Sequence, residues 1–261
     1  MDYITILGTC RQIPITHHLP MSQILEQLNY PQYTKEILQQ IRYLKYKNLS
    51  TETKYCFRSS LLNKCVSEIS DIEYNNLKCE FDKTTFFLIE ICARMAYKWN
   101  NVYLHRIAED PQYEFINKDN IVKEVLTDEE IENDILQIKN ELYPKPFIII
   151  SHFATYEQGS RYELTQLLKK ICQRLNIPFL NQSDIIKQYG TDIIVKEPKL
   201  VHYNAVGQHI VGKILLNKIN EVKSDIKRVS IQSPIIHSPI IHSTIIQPTT
   251  IIQETTRPLY T

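Results

Sequence analysis

The sequence predicts an α/β protein: a three-layer sandwich on a mainly parallel sheet, with a helical insertion after the first strand. Three short apolar runs carry that expectation. YITIL (3–7), TFFLIEI (85–91) and FIIIS (147–151) are rich in aromatic and β-branched residues, and short enough for strands. Their apolar residues are continuous rather than alternating, as in strands buried on both faces, and segments with helical periodicity lie between them. A length of 261 residues suits one well-buried domain, or one domain with an appendage.

In chain order, the first strand runs into Gly8, Thr9, Cys10 and Arg11. Residues 15–80 then read as a helical insertion, with helix-like segments at 21–29 and 34–47. An insertion of this size is a natural lid or substrate cap. NVYLH (101–105) and DIIV (192–195) are weaker strand candidates. Thr127 and Glu130 form a T-x-x-E capping box, followed by Ile131, Ile135, Ile138 and Leu142 at helical spacing. Ser160 and Glu163 suggest a second box, ahead of a stripe of Leu164, Leu167, Leu168, Ile171 and Leu175. NIPFL (176–180) ends that helix and starts a strand, so FIIIS to IPFL reads as a βαβ crossover. A last helix begins near Asn204 and carries Val206, Ile210, Ile214 and Leu215.

This organisation assigns residues 1–224 to one domain and 225–261 to a low-complexity tail. The tail repeats Ser-Pro-Ile-Ile-His, and proline at that density excludes helix and disfavours an interior strand. An extended, disordered tail is expected, whose Ile pairs could dock on a protein partner or a sheet edge. His237 and His242 recur because the unit recurs, which is weak ground for metal binding.

Composition narrows the function. The content is 43% hydrophobic and 23% charged, as in ordinary globular proteins, and a net charge of +1 gives no electrostatic footprint for nucleic acid. No run of about 18 apolar residues predicts a membrane span. The opening Met-Asp-Tyr leads straight into a strand with no basic or apolar leader, so a cytoplasmic location is expected. The six cysteines include no C-x-x-C pair, so free thiols and no metal site are expected.

In an open α/β sheet, ligands gather at the carboxyl ends of the strands. The residues standing there are Gly8, Thr9, Cys10 and Arg11 after the first strand, Glu90 and Cys92 at the end of TFFLIEI, and Ser151 and His152 after FIIIS. Just before the last helix come His202, Tyr203 and Asn204 in LVHYNAVGQHIVG. His17, His18 and His105 read as ordinary histidines.

This pattern resembles the SGNH (GDSL-type) hydrolase superfamily, in which a strand runs into Gly-Asp-Ser and the catalytic histidine stands before the last helix. LGTCR puts Gly8, Thr9 and Cys10 on those three positions, with cysteine in place of serine. It looks closer still to the WcbI-type polysaccharide-biosynthesis acyltransferase-like proteins, which carry Gly-x-Cys here. HYNAVG resembles their closing His-Tyr-x-x-x-Gly block. The likeness spans roughly residues 3–220 in element order and is specific at its two ends.

The resemblance implies an acyltransferase or acyl esterase acting on a carbohydrate or other hydroxylated substrate. Cys10 would be the nucleophile, His202 the base and His152 a further site residue. Gly8, Thr9, Arg11, Glu90, Ser151, Tyr203 and Asn204 would bind substrate or oxyanion. No resident cofactor is implied; acyl-CoA is a candidate donor. Arg11 could hold its phosphate or pair with Glu90. The departures are specific. Lys199 stands where the family has the aspartate three before its histidine, which leaves Asp192 or Glu197 to orient His202. No Gly-x-Asn-Asp block is present, and Pro14 interrupts the helix expected after Cys10. Two other readings compete. A sulfotransferase would need a phosphate loop that GTCRQIP, with one glycine and no lysine, does not supply. A catalytically inactive interaction protein would use the repeat tail and leave Cys10 unreactive.

Overall fold

The computed structural model describes residues 2–24, 28, 30–49, 56–57, 65–111, 120–154, 157–196 and 201–232, with residues 196, 201 and 229–232 described by backbone alone. The repeat tail from 233 onward, Glu197 and Lys199 lie outside the described residues.

In chain order the strands are β1 (Ile4–Leu7), β2 (Phe86–Ile91), β3 (Met95–Trp99), β4 (Val102–Tyr103), β5 (Val122–Val125), β6 (Phe147–Ser151), β7 (Phe179–Asn181), β8 (Ile194–Lys196) and β9 (Val201–Tyr203). The α-helices named here are α1 (Thr34–Tyr46), α2 (Asp71–Lys83), α3 (Asp128–Leu142), α4 (Ser160–Arg174), α5 (Gln182–Tyr189) and α6 (Ala205–Gln232). The central sheet is parallel, with order β1-β2-β6-β7. Its three predicted runs are its three long members, and the Phe147-to-Phe179 segment is the predicted crossover.

Side chains alternate across this sheet and build two cores. Phe87, Ile89, Ile91, Phe147 and Ile149 face α1, α2, α3 and α4. Ile4, Ile6, Phe86, Leu88, Ile148 and Ile150 face α5, α6 and Ile15 of the 3-10 helix Cys10–His17. Both faces are covered, which is why the strands read as unbroken apolar runs.

A bridge on the far edge of β1 pairs Ile4 with Met21 in parallel. Ser22 N donates to Ile4 O at 2.8 Å, and Ile4 N to Pro20 O at 2.9 Å. The chain therefore leaves β1 through the 3-10 helix towards one side of the sheet, then returns to build β2, β6 and β7 on the other. The direction of winding reverses at β1, so a crevice opens at the carboxyl ends of β1 and β2.

Several expectations need correcting. NVYLH contributes only Val102–Tyr103, to a separate antiparallel sheet of order β4-β3-β5. DIIV ends in β8, which pairs with β9 in a two-stranded antiparallel ribbon. The Thr127 box forms as expected, with Glu130 N donating to Thr127 Oγ1 at 3.2 Å and Thr127 N to Glu130 Oε2 at 2.9 Å. The Ser160 box does not form: Ser160 is already inside α4, and Gly159, at φ +84°, takes the cap position without a side-chain bond. On α6, Val206 is exposed, and Val211, Leu215 and Ile219 supply the buried stripe. That helix also continues through 225–232, past the boundary drawn from composition. No helix among the described residues is long and apolar enough to cross a membrane.

Candidate functional site

The site begins with the close approach of β1 to β2. A Cβ on Gly8 would stand 2.5 Å from the Glu90 Cβ and 3.0 Å from its backbone nitrogen, so only glycine lets the two strand ends meet this tightly. Thr9 follows as the N-cap of the 3-10 helix. Its backbone N–H donates to Glu90 Oε2 at 2.9 Å, and its hydroxyl donates to the same oxygen. Arg11 Nη1 donates to Thr9 Oγ1 at 3.1 Å, and the Arg11 guanidinium lies over the Phe153 ring, 5.5 Å from its centroid.

Glu90 is a glutamate inside an otherwise apolar strand, on the same face as Phe86 and Leu88, and is fully buried. A buried carboxylate is tolerated only where partners replace its water. Here they are the two Thr9 donors and, at 2.9 Å from Oε1, the Nδ1 of His152. His152 is itself only 5% exposed. Its ring stacks beside Phe153 with centroids 5.4 Å apart.

Burial alone would push the Glu90 carboxyl up. The His152 hydrogen bond and charge, Arg11 and the Thr9 donors overcome that and hold it below the usual carboxylate range. Burial pushes the His152 imidazole down, against the pull of Glu90. The direction for the pair is therefore an ionised glutamate beside a neutral histidine. A carboxylate only accepts, so His152 Nδ1 carries the proton and Nε2 is left as the basic nitrogen.

Above this floor lies a cleft of about 710 Å³. Thr9, Cys10, Arg11, His152 and His202 all line it, so the fold brings together the principal site residues expected from sequence. Gly8 and Glu90 form the support beneath. Other expected members are engaged elsewhere. Ser151 is fully buried and its Oγ donates to Asn181 Oδ1 at 3.1 Å. Tyr203 OH donates to Gln182 Oε1 at 2.8 Å, and its ring packs 5.3 Å from that of Phe153. Asn204 caps α6, accepting from Gly207 N at 2.9 Å and donating to Asp192 O at 2.6 Å. Thus Asp192 meets Asn204 through its backbone, Glu197 lies outside the described residues, and Glu90–His152 is an acid–histidine pair that sequence reasoning did not foresee.

The cleft has walls that sequence reasoning did not find. Tyr30 and Gln32 come from the insertion, as a cap would require; Arg94 and Met95 lie at the start of β3, and Arg106 and Arg161 add positive charge. Arg94 is held by Asp128 at 2.5 Å and by Leu126 O at 3.0 Å, not by Glu90. Cys92 also lines the cleft. Burial, then the charge of Glu90, push its thiol well up, so it stays protonated. Only the strand-end position of Cys92 was visible in sequence; the arginines lie on separate elements and carried no common signal.

Glu90, Cys92 and His152 offer donor atoms within 4.8 Å of one another, a set whose chemistry would suit a soft divalent cation. Both Glu90 oxygens already accept hydrogen bonds, and the Arg11 charge acts on the same carboxylate. The arrangement fits a hydrogen-bonded dyad better than a metal centre.

No protein-family model matches the chain, and no curated protein matches it in sequence.

Proposed function

We propose that the chain is an acyltransferase or acyl esterase of the SGNH type, working through a thioester at Cys10 on a carbohydrate or similar hydroxylated acceptor. The observation that carries this reading is the hydrogen-bonded chain Thr9–Glu90–His152, lying directly under the turn that presents Cys10 to the cleft. Nucleophile, oriented base and carboxylate are the parts that covalent acyl transfer needs. The winding reversal at β1 supports the flavodoxin-like order of such folds.

In this reading His152 Nε2 takes the Cys10 thiol proton. The thiolate attacks the acyl carbon, and the Cys10 backbone N–H at the start of the 3-10 helix is the donor this reading assigns to the developing oxyanion. The tetrahedral adduct collapses to the thioester, and the donor's leaving group departs with the proton from His152. A sugar hydroxyl or water then loses its proton to His152 and attacks the thioester, and the thiol is restored. The neutral state favoured by burial makes His152 a competent base near neutral pH. His202 lines the same cleft and holds the position that the resemblance gives to the base, so the two histidines are tested side by side.

The test is intact-mass analysis after incubation with acetyl-CoA and with an activated ester. One acetyl adduct on wild type and on Cys92→Ala, and none on Cys10→Ala, is the expected result. No adduct from any donor, with Cys10 inert to alkylation in the folded protein, overturns the reading in favour of a structural cysteine.

A further inference from the structure

We propose that Arg11, Arg106 and Arg161 form a phosphoryl-binding subsite beside Cys10, and that the acceptor is a small phosphorylated molecule of the sugar-phosphate type. The identity of the acceptor rests on the function proposed above; the anion subsite itself stands without it.

The three guanidinium groups come from separate parts of the chain. Arg11 lies in the 3-10 helix after β1, Arg106 opens a second one after β4, and Arg161 is in the first turn of α4. All three line the same cleft. Among the described residues its lining has one carboxylate residue, Glu163, and no lysine, with the buried Glu90 beneath. Among the described residues, no ion pair holds Arg106 or Arg161. Burial, then the charge of Arg11 and that of Arg106, lower the Arg161 guanidinium from its ordinary value, while Cys92 and, beneath the cleft, Glu90 act against them. Like charges gathered this way repel, and an anion placed among them removes the repulsion. Three forked guanidinium groups match the oxygens of a phosphoryl group better than point charges would.

The backbone adds to the same field. The first turn of α4 reaches the cleft through Ser160 and Arg161, and its N-cap, Gly159, has no side chain to cap it. Its open N–H groups and the positive end of its dipole favour an anion there. The Ser160–Glu163 box suggested by the sequence would have closed that helix end, and it does not form.

Position decides the ligand class. Arg11 is the residue after Cys10 and is braced by Thr9 and Phe153. A phosphoryl group seated on it therefore lies close to the reacting atoms. A sugar phosphate places its hydroxyls a few bonds from its phosphate, whereas the phosphates of coenzyme A stand a long pantetheine arm away from its thioester. A cleft of about 710 Å³ is of a size to hold a small phosphorylated molecule.

The experiment is calorimetric titration of the full chain with inorganic phosphate, glucose 6-phosphate, glucose and coenzyme A. The proteins are wild type, Arg106→Gln and Arg161→Gln, with thermal melts to confirm folding. Phosphate and glucose 6-phosphate should bind and glucose should not. Each arginine variant should weaken binding by about tenfold or more, because a charge-assisted hydrogen bond is lost. Phosphate binding by wild type that forms no Cys10 adduct with acetyl-CoA or an activated ester would sink the acyl chemistry and leave the subsite standing. Equal binding by wild type and by folded Arg106→Gln and Arg161→Gln overturns the subsite. Coenzyme A binding far more tightly than glucose 6-phosphate, through the same arginines, overturns the small-acceptor assignment.

Discussion

His152 follows β6 in the interior of the parallel sheet, whereas His202 sits in β9 on a two-stranded ribbon, opposite Val195 of β8. Both line one cleft. His152 is buried and held by a buried carboxylate, with its tautomer set by that bond. His202 is half-buried, and the residues after it serve the fold: Tyr203 packs on Phe153, and Asn204 starts α6. In the His-Tyr-Asn block, Tyr203 and Asn204 thus anchor the last helix, while His202 lines the cleft. The bonded pair Glu90–His152 comes from two strand ends 62 residues apart in the chain.

The sharpest way to break this comparison is to exchange the histidines' fates. His152→Ala should slow adduct formation at Cys10 by about 10²- to 10⁴-fold, the usual worth of a positioned base. His202→Ala should cost clearly less, measured by the same time-resolved mass assay. The reverse order would make β9 the catalytic strand.

Glu90→Gln comes next. It keeps the shape of the side chain but removes the charge that sets the His152 tautomer, and a loss of about 10²-fold or more in rate is expected. The pH profile carries a finer signature. Burial holds His152 below its ordinary value of 6.5, so the acid limb of the wild-type rate should fall below that pH. Glu90 raises His152 against burial, so the variant's limb should move lower still. Stability follows the same signs. A depressed histidine makes the folded state lose stability as pH falls below 6.5, and a depressed glutamate makes it lose stability as pH falls below its ordinary 4.5. Urea midpoints measured from pH 7 to pH 3 should decline throughout for wild type, and less steeply at the acid end for Glu90→Gln.

Gly8→Ala probes the contact that lets Glu90 reach Thr9. The added methyl meets the Glu90 Cβ at 2.5 Å, with backbone close behind, so a loss of about 1–3 kcal/mol in urea unfolding is expected. Asn204→Ala should cost about 1 kcal/mol through the lost cap of α6 and leave the adduct rate unchanged. A slowed rate without a stability loss would instead return Asn204 to the oxyanion site expected from the resemblance.

The sequence by itself determined the layers. Unbroken β-branched and aromatic runs require burial on both faces, and the Thr127 box with its apolar stripe names one covering helix. It also marked the strand ends where Cys10, Glu90 and His152 would gather, because ligand residues in such sheets stand at carboxyl ends. Those are local regularities, written at a period of two or about four residues. Tertiary structure alone decided that Glu90 bonds His152 and Thr9, that Arg11, Arg106 and Arg161 face one cleft, and that Gly159 rather than Ser160 caps α4. These are contacts between residues tens to more than a hundred positions apart, or a backbone angle at one glycine. No periodicity encodes them; the register of β1 on β2 and of β2 on β6 does.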